Sequence, residues 1–152
     1  MSRVAVDSNI LVYVAGVWVS EADQGKVRRA CAVVKRLQET EEVFAPVQVL
    51  GEVFVVLRRN GFTAEEARAV VIEFSEGFIS VDSKRSTLAA ALDMVIEHRL
   101  QFWDSMILSA ADEAGCTLLL SEDMQDGFVV RGVTIVNPLA DKPHEKLRRL
   151  LA

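Results

Sequence analysis

Short, mostly apolar segments alternate along this chain with longer segments whose apolar residues recur at helical spacing. Strands are predicted in these short segments, at residues 3–6, 43–45, 78–81, 117–120 and 133–136. A strand that is apolar on both sides is buried on both faces, which is typical of parallel sheets covered by helices. The sequence therefore predicts an α/β fold, a three-layer α/β/α sandwich with a central, mainly parallel sheet.

Helices are predicted between these strands from apolar spacing and from their end signals. One of them should have Pro46 as its first residue. Thr63 and Glu66 have the spacing of a capping box, which marks the start of the next helix. Residues 142–151 should form a short C-terminal helix. No repeat or linker interrupts the pattern, so we expect residues 1–152 to form a single domain.

The composition is that of a globular protein, with 51% hydrophobic and 26% charged residues. The net charge is -5, so any binding of nucleic acid must be local or depend on metal ions. Cys31 and Cys116 each lie in an apolar pattern and are expected to be small buried residues rather than zinc ligands. His98 and His144 are isolated and are interpreted as surface or packing residues.

An apolar run covers residues 10–19. It is shorter than the ~20 residues that a membrane-spanning helix needs. Asp7 and Asn9 precede it and no small-residue cleavage site follows it, which argues against the core of a signal peptide. We therefore expect a cytoplasmic protein without a membrane segment.

Two acidic residues follow predicted strands closely. Asp7 comes directly after the first strand, and Asp123 lies three residues after the strand at 117–120. Sites in open α/β sheets form at the carboxyl ends of strands, so these two side chains can share one edge of the sheet. Each residue also has an ordinary interpretation, Asp7 as a helix cap and Asp123 as a turn residue.

Two further acids occur in helical segments. The segment around Glu52 is apolar nearly all round, so this carboxylate is expected to be buried. Burying a carboxylate is costly unless it is paired or binds a metal ion, and the alternative is that Glu52 lies on a narrow exposed stripe. Asp104 precedes an alanine-rich helix, where it suits either an N-cap or a functional carboxylate.

Four carboxylates brought together without a matching group of basic residues would repel one another. A divalent cation offsets this repulsion, and carboxylate oxygens are suitable ligands for Mg²⁺ and Mn²⁺. Such a centre can convert a bound water into a nucleophile and stabilise charge on a phosphoryl group. The pattern therefore favours hydrolysis of phosphodiester bonds.

Four segments also resemble, in order and spacing, the successive motifs of the PIN-domain family: VAVDSNILVYV, FAPVQVLGEVFVVLRR, FWDSMILSAADEAGCTLLLSEDMQDG and GVTIVNP. They cover nearly the whole chain and are most similar to the VapC-like toxins of prokaryotic toxin–antitoxin pairs. The resemblance implies a PIN fold, an endoribonuclease activity dependent on Mg²⁺ or Mn²⁺, frequent homodimers and inhibition by a small antitoxin protein. An RNA-processing nuclease without a toxin role, or an inactive binding module, remains an alternative.

The same resemblance assigns roles to individual positions. The four acids of the metal centre would be Asp7, Glu52, Asp104 and Asp123. The supporting polar residues would be Ser8, Asn9 and Ser121. Asp126 lies in the same loop as Asp123 and is an alternative fourth acid, so the choice between these two stays open here.

Two basic residues follow Glu52 by about two turns of the same predicted helix. Arg59 should face the same way as Glu52, and with its neighbour Arg58 it is a candidate for binding the RNA backbone. The alternative interpretation is a solvated helix face.

Two other phosphate-handling folds share the alternating pattern but need different residues. A phosphate-accepting signalling domain places two adjacent acids after the first strand, where Asp7 is followed by Ser8. It also ends a late strand in lysine, where this chain has Asn137. A haloacid-dehalogenase phosphatase needs an aspartate at the position of Asn9.

Overall fold

The computed structural model describes residues 1–17 and 20–152 of the chain. The elements in chain order are β1 (Arg3–Val6), α1 (Ser8–Val14), α2 (Ala22–Thr40), β2 (Glu42–Pro46), α3 (Val47–Arg59), α4 (Ala64–Gly77), β3 (Ile79–Val81), α5 (Arg85–His98), α6 (Phe102–Glu113), β4 (Leu118–Leu120), β5 (Val129–Val130), β6 (Val133–Val136) and α7 (Glu145–Leu151). The alternation of strands and helices predicted from the sequence is confirmed.

The strands form one sheet in the order β3-β2-β1-β4-β6-β5. β1 pairs in parallel with β2 on one side and with β4 on the other, and β5 pairs antiparallel with β6. The predicted central, mainly parallel sheet is therefore confirmed. The order of the strands reverses between β1 and β4, and ligands of open α/β sheets bind at such a reversal, beyond the carboxyl ends of the strands.

The central strands are buried because helices cover the sheet. Three of the four residues of β1 and every residue of β4 and β6 are buried. Edge strand β3, in contrast, is largely exposed. A single cluster of buried apolar residues extends from Val4 in β1 to Leu147 in α7.

Several predicted boundaries differ from the structure by one to three residues, as is usual at the ends of elements. Pro46 ends β2 and caps α3 instead of being its first helical residue. The C-terminal helix begins at Glu145 rather than at 142. Strand β5 was not predicted, because two residues are too few to give an alternating pattern. The capping box of Thr63 and Glu66 is confirmed.

The expectation that α3 is buried all round was wrong. Val47 and Val55 are 47% and 46% exposed, so one apolar side of this helix faces solvent. Glu52 is accordingly half-buried rather than enclosed. Cys116 is buried as predicted, whereas Cys31 is half-buried and donates its thiol hydrogen to the carbonyl of Val14.

The apolar run at residues 10–19 forms no long helix in the described ranges. Helix α1 ends at Val14, and Gly16 adopts a φ of +86° that stops the helical path. Residues 18 and 19, at the end of the run, lie outside the described residues. No helix in the described ranges is both long enough and apolar enough to span a membrane.

Candidate active site

Asp7 lies at the junction of β1 and α1, directly beside the carboxyl end of β4. Its backbone nitrogen donates to the carbonyl of Leu120 over 2.9 Å, which continues the pairing of the two strands by one residue. Its side chain caps α1, because Oδ1 accepts from the backbone nitrogen of Ser8 at 2.7 Å. Oδ2 accepts from the hydroxyl of Ser121 at 2.8 Å. Asp7 is thus both a helix cap and a buried carboxylate, only 4% exposed, at the reversal of strand order.

Asn9 connects the first acid to the loop that follows β4. Its Nδ2 lies 3.3 Å from Oδ2 of Asp7 and 3.2 Å from Oδ2 of Asp123, and it donates to both. Its Oδ1 accepts from the backbone nitrogen of Glu122 at 3.1 Å. One amide side chain therefore holds two carboxylates close to each other.

Helix α3 brings Glu52 to the same edge of the sheet. The hydroxyl of Ser8 donates to Oε2 of Glu52 over 2.9 Å, and Gln48, one turn earlier in α3, donates to Oε1 over 3.3 Å. Ser8 also approaches Oδ1 of Asp7 at 3.4 Å, so a single hydroxyl lies between two of the acids.

Asp104 is the third residue of α6 and does not precede this helix. The N-cap is Gln101, so the interpretation of Asp104 as the cap was wrong. The first turn of a helix still favours a carboxylate, because its free N–H groups carry partial positive charge. Asp104 is half-buried and lies near enough to Glu52 and Asp123 for their charges to act on it.

The pKa values report this shared negative charge. Burial raises the pKa of Asp7 to about 6, from an ordinary 3.8; hydrogen bonds from Ser121 and Ser8 oppose the rise, and the charges of Glu52 and Asp104 add to it. Burial likewise raises the pKa of Asp104, and the charges of Glu52 and Asp123 raise it further. The structure therefore brings all four predicted acids into one electrostatic neighbourhood.

Asp126 is placed differently from Asp123. Its Oδ1 accepts from the backbone nitrogen of Asn137 at 2.9 Å, which ties the loop to the end of β6. Asp123 instead contacts Asn9 and acts on Asp104. Of these two acids, Asp123 is the one that lies with the other three carboxylates.

The donor set of this acidic centre fits a hard divalent cation. No ion pair with lysine or arginine involves any of the four acids among the described residues. Their charge is therefore not offset by side chains, and carboxylate oxygens suit Mg²⁺ or Mn²⁺. Within residues 1–17 and 20–152, however, no three histidine, cysteine, aspartate or glutamate side chains are drawn together closely enough to form a metal-binding group.

A groove of about 610 Å³ opens beside Glu52, between α3 and the start of α6. It is lined by Ser8, Gln48, Gly51, Glu52, Val55, Val56, Arg59 and Trp103. Arg59 therefore shares a surface with Glu52, as its spacing predicted, and it forms no salt bridge within the described residues. Arg58 instead donates to the carbonyl of Phe62 at the end of the helix.

Sequence reasoning missed the surroundings of several residues near the acids. Trp103 is 56% exposed beside Asp104, where an aromatic ring is available to a ligand. Tyr13 donates to Oε1 of Glu122 over 2.9 Å, and Lys26 forms an ion pair with Oε2 of Glu122 at the same distance. Burial raises the pKa of Tyr13 to about 12, and the bond to Glu122 adds to the rise. No local signal predicts these contacts, because they join positions about a hundred residues apart.

The arrangement defines an α/β protein with an acidic centre at the reversal of its strand order. The sequence model of the PIN domain family matches residues 4–126, a range that includes all four acids. The chain belongs to this family. No curated protein matches it.

Solved structures with the same fold include proteins of toxin–antitoxin systems. A toxin–antitoxin complex from Klebsiella pneumoniae is similar with a TM-score of 0.65 and 17% identity, over 89% of this chain and 97% of that one. VapBC2 from Rickettsia felis, bound to a DNA fragment from its promoter, is similar with a TM-score of 0.61 and 13% identity, over 80% of this chain and 88% of that one. Mycobacterium tuberculosis VapC20, a toxin that cleaves the sarcin-ricin loop, is similar with a TM-score of 0.59 and 18% identity, over 79% of this chain and 89% of that one. At these identities the likeness shows the fold.

Proposed function

We propose that this chain is a metal-dependent endoribonuclease of the PIN family and the toxin of a toxin–antitoxin pair, acting in the cytoplasm as a single domain over residues 1–152. The observation that carries the proposal is the convergence of four carboxylates, without a basic partner, at the reversal of strand order. Similarity to solved toxin–antitoxin proteins supports the biological role.

The proposed reaction is hydrolysis of an RNA phosphodiester. Water adds to phosphorus, one P–O ester bond breaks, and the leaving oxygen takes up a proton. The cation would be held by Asp7, Glu52, Asp104 and Asp123, and when bound it would acidify a water and offset charge on the phosphate. Ser8, Asn9 and Ser121 orient three of these carboxylates, those of Glu52, Asp123 and Asp7 in turn, through the hydrogen bonds described above.

The groove beside Glu52 is the proposed path of the RNA. The guanidinium of Arg59 is available to a phosphate, and the exposed ring of Trp103 is available to stack on a base. Arg58 does not line this groove; it lines a neighbouring pocket together with Val55 and Arg59, where it contributes positive charge although its side chain also binds the carbonyl of Phe62. Local positive charge of this kind is required because the whole chain is negative.

Two protein partners belong to the proposal. The first is a small antitoxin, as in the solved complex from Klebsiella pneumoniae. The second is another copy of this chain. Leu88, Leu92 and Ile96 are spaced by one helical turn on α5 and are 41%, 47% and 79% exposed, an apolar row suited to a dimer interface. Light scattering of the parent and of Ile96→Glu tests this dimer, which the glutamate should dissociate.

The direct test of the activity compares conservative variants of the acids in an RNA cleavage assay. Glu52→Gln, Asp104→Asn and Asp123→Asn should each abolish most cleavage. Asp126→Asn is the matched control, because it changes the same residue type in the same loop and should stay active. If Asp123→Asn cleaves normally and Asp126→Asn does not, the fourth acid is Asp126.

The alternatives predict different results. An inactive binding module would cleave no RNA in any metal. An RNA-processing nuclease would cleave RNA but would not arrest growth on expression. A toxin should arrest growth, and co-expression of the small protein encoded next to it should relieve the arrest.

A further inference from the structure

A small polar cluster lies behind the fourth acid and involves none of the four proposed metal ligands. It consists of Tyr13 in α1, Lys26 in α2 and Glu122 in the loop after β4. The hydroxyl of Tyr13 donates to Oε1 of Glu122 over 2.9 Å, and Nζ of Lys26 lies 2.9 Å from Oε2. Lys26 is also 5.8 Å from the centre of the Tyr13 ring. Both oxygens of one carboxylate are thus bound by two different helices.

Glu122 is held at its backbone as well as at its side chain. Its backbone nitrogen donates to Oδ1 of Asn9, whose Nδ2 donates to Oδ2 of the adjacent Asp123. The loop that carries these two residues has no helix or strand of its own. Backbone bonds from Ser121 to Val136 and from Gly127 to Ile135 fix the two ends of the loop. The part that carries Glu122 and Asp123 is held by these side-chain contacts, together with the bond from the nitrogen of Met124 to Ser121 Oγ.

A purely stabilising role accounts poorly for this cluster. The side chains of Lys26 and Glu122 are 40% and 20% exposed, and ion pairs that reach solvent add little to the stability of a fold. A direct role of Lys26 in binding phosphate is also disfavoured, because its ammonium already pairs with Glu122 and, at 3.7 Å, with Asp23.

We propose that Tyr13 and Lys26 are positioning residues that act through Glu122 to place the Asp123 carboxylate for cation binding. The proposal rests on the proposed metal-dependent function. Residues that orient metal ligands by hydrogen bonds typically change metal affinity or activity by 10- to 100-fold when they are removed. Through Lys26 and Glu122, the contacts that hold Asp123 in position reach as far as α2.

The test is calorimetric titration of Mn²⁺ into the parent, Tyr13→Phe and Lys26→Met, followed by steady-state cleavage of RNA. Each variant should bind Mn²⁺ about 10-fold more weakly and have a lower kcat with an unchanged KM for RNA. Lys26→Arg keeps the charge and should restore most of the affinity. Glu145→Gln is the control, because it breaks an exposed ion pair with Arg149 in α7 that has no contact with the four acids or with Glu122.

Melting temperatures in excess chelator should be the same for all these variants, since the proposed effect needs the cation. Unchanged Mn²⁺ affinity in both Tyr13→Phe and Lys26→Met would overturn the proposal. A raised KM for RNA with unchanged Mn²⁺ affinity would also overturn it, and would make Lys26 a contact for RNA. If the parent binds Mn²⁺ but cleaves no RNA, the proposed function fails, while the comparison of Mn²⁺ affinities still decides the positioning role.

Discussion

The hydroxyl of Ser121 donates to Oδ2 of Asp7 over 2.8 Å, joining two buried residues that follow adjacent parallel strands. The hydroxyl oxygen of Ser121 also accepts a hydrogen bond from the backbone nitrogen of Met124. The side chain of Ser121 therefore binds both Asp7 and the loop that carries Asp123. The bond from Ser121 lowers the pKa of Asp7, but burial outweighs it. The fold therefore holds the Asp7 side chain in a position where its ionised form is disfavoured.

Asp7→Asn separates the role of this residue in the centre from its role as a helix cap. Asparagine caps a helix about as well as aspartate, so the fold should be retained. In chelator the variant should melt at the same temperature as the parent or higher, because one of the mutually repelling charges is gone. RNA cleavage should fall by at least about 100-fold, the upper end of what loss of a supporting contact to a metal ligand costs.

Melting curves with and without Mn²⁺ check the same variant independently of RNA. A cation that binds only the folded protein raises its melting temperature, and loss of a ligand should reduce that rise. Asp126→Asn again serves as the control, and its Mn²⁺-induced rise should match that of the parent. An active Asp7→Asn protein with an unaltered rise would remove Asp7 from the centre.

The raised pKa of Asp7 also predicts how the metal-free protein responds to pH. Because the folded state holds this proton up to about pH 6 and the unfolded state releases it near 3.8, the contribution of Asp7 to stability is lost as the pH rises through this window. The full loss is roughly 3 kcal/mol at 1.4 kcal/mol per pKa unit. Urea unfolding in chelator should therefore show Asp7→Asn gaining on the parent between pH 5 and pH 7.5. If the free energies of unfolding of the variant and the parent differ by the same amount at pH 5 and at pH 7.5, the pKa of Asp7 is not raised.

Arg59→Ala tests the proposed RNA path. The loss of one phosphate contact should weaken RNA binding and lower the slope of log K against log salt by about 0.7 for single-stranded RNA. Thermal stability should stay nearly unchanged, because Arg59 is exposed and forms no salt bridge among the described residues. Arg36→Ala is the matched control, because Arg36 lies in the last turns of α2, which ends directly before the amino end of β2. Equal salt slopes for the two variants would place Arg59 on a solvated face.

Substitutions of Gly51 test both the stability of α3 and the path of RNA through the groove. It lies inside α3, where glycine costs roughly 0.5–1 kcal/mol relative to alanine, and an added Cβ would meet no atom within 4 Å. Gly51→Ala should therefore raise the free energy of unfolding by about that amount. Gly51→Leu fills the groove and should weaken RNA binding without loss of stability. If both variants bind RNA equally well, the RNA does not lie over Gly51.

The sequence predicted the parts of this molecule that depend on periodicity and strand order. Buried strands were recognisable because β4 is apolar throughout and β6 is apolar apart from Thr134. Asp7 and Asp123 could be placed at the same edge because both follow strands. Arg59 was placed beside Glu52 by helical spacing alone. These inferences need no knowledge of which side chains touch.

Contacts between distant segments could not be predicted in the same way. The bridge from Asn9 to Asp123 and the bond from Tyr13 to Glu122 depend on loop conformation, which has no period in the sequence. The exposure of Val55 was missed for a related reason, because an apolar residue on a surface groove has the same pattern as one in the core. Asp126 and Asp123 were distinguishable only once the loop geometry was known.

The most direct test of the account is cleavage of RNA by the parent protein after complete removal of divalent cations. The account predicts no cleavage in excess chelator and recovery of cleavage when Mn²⁺ or Mg²⁺ is restored, since the four carboxylates carry charge that no lysine or arginine offsets in the described residues. Full cleavage in excess chelator would contradict the metal-dependent mechanism.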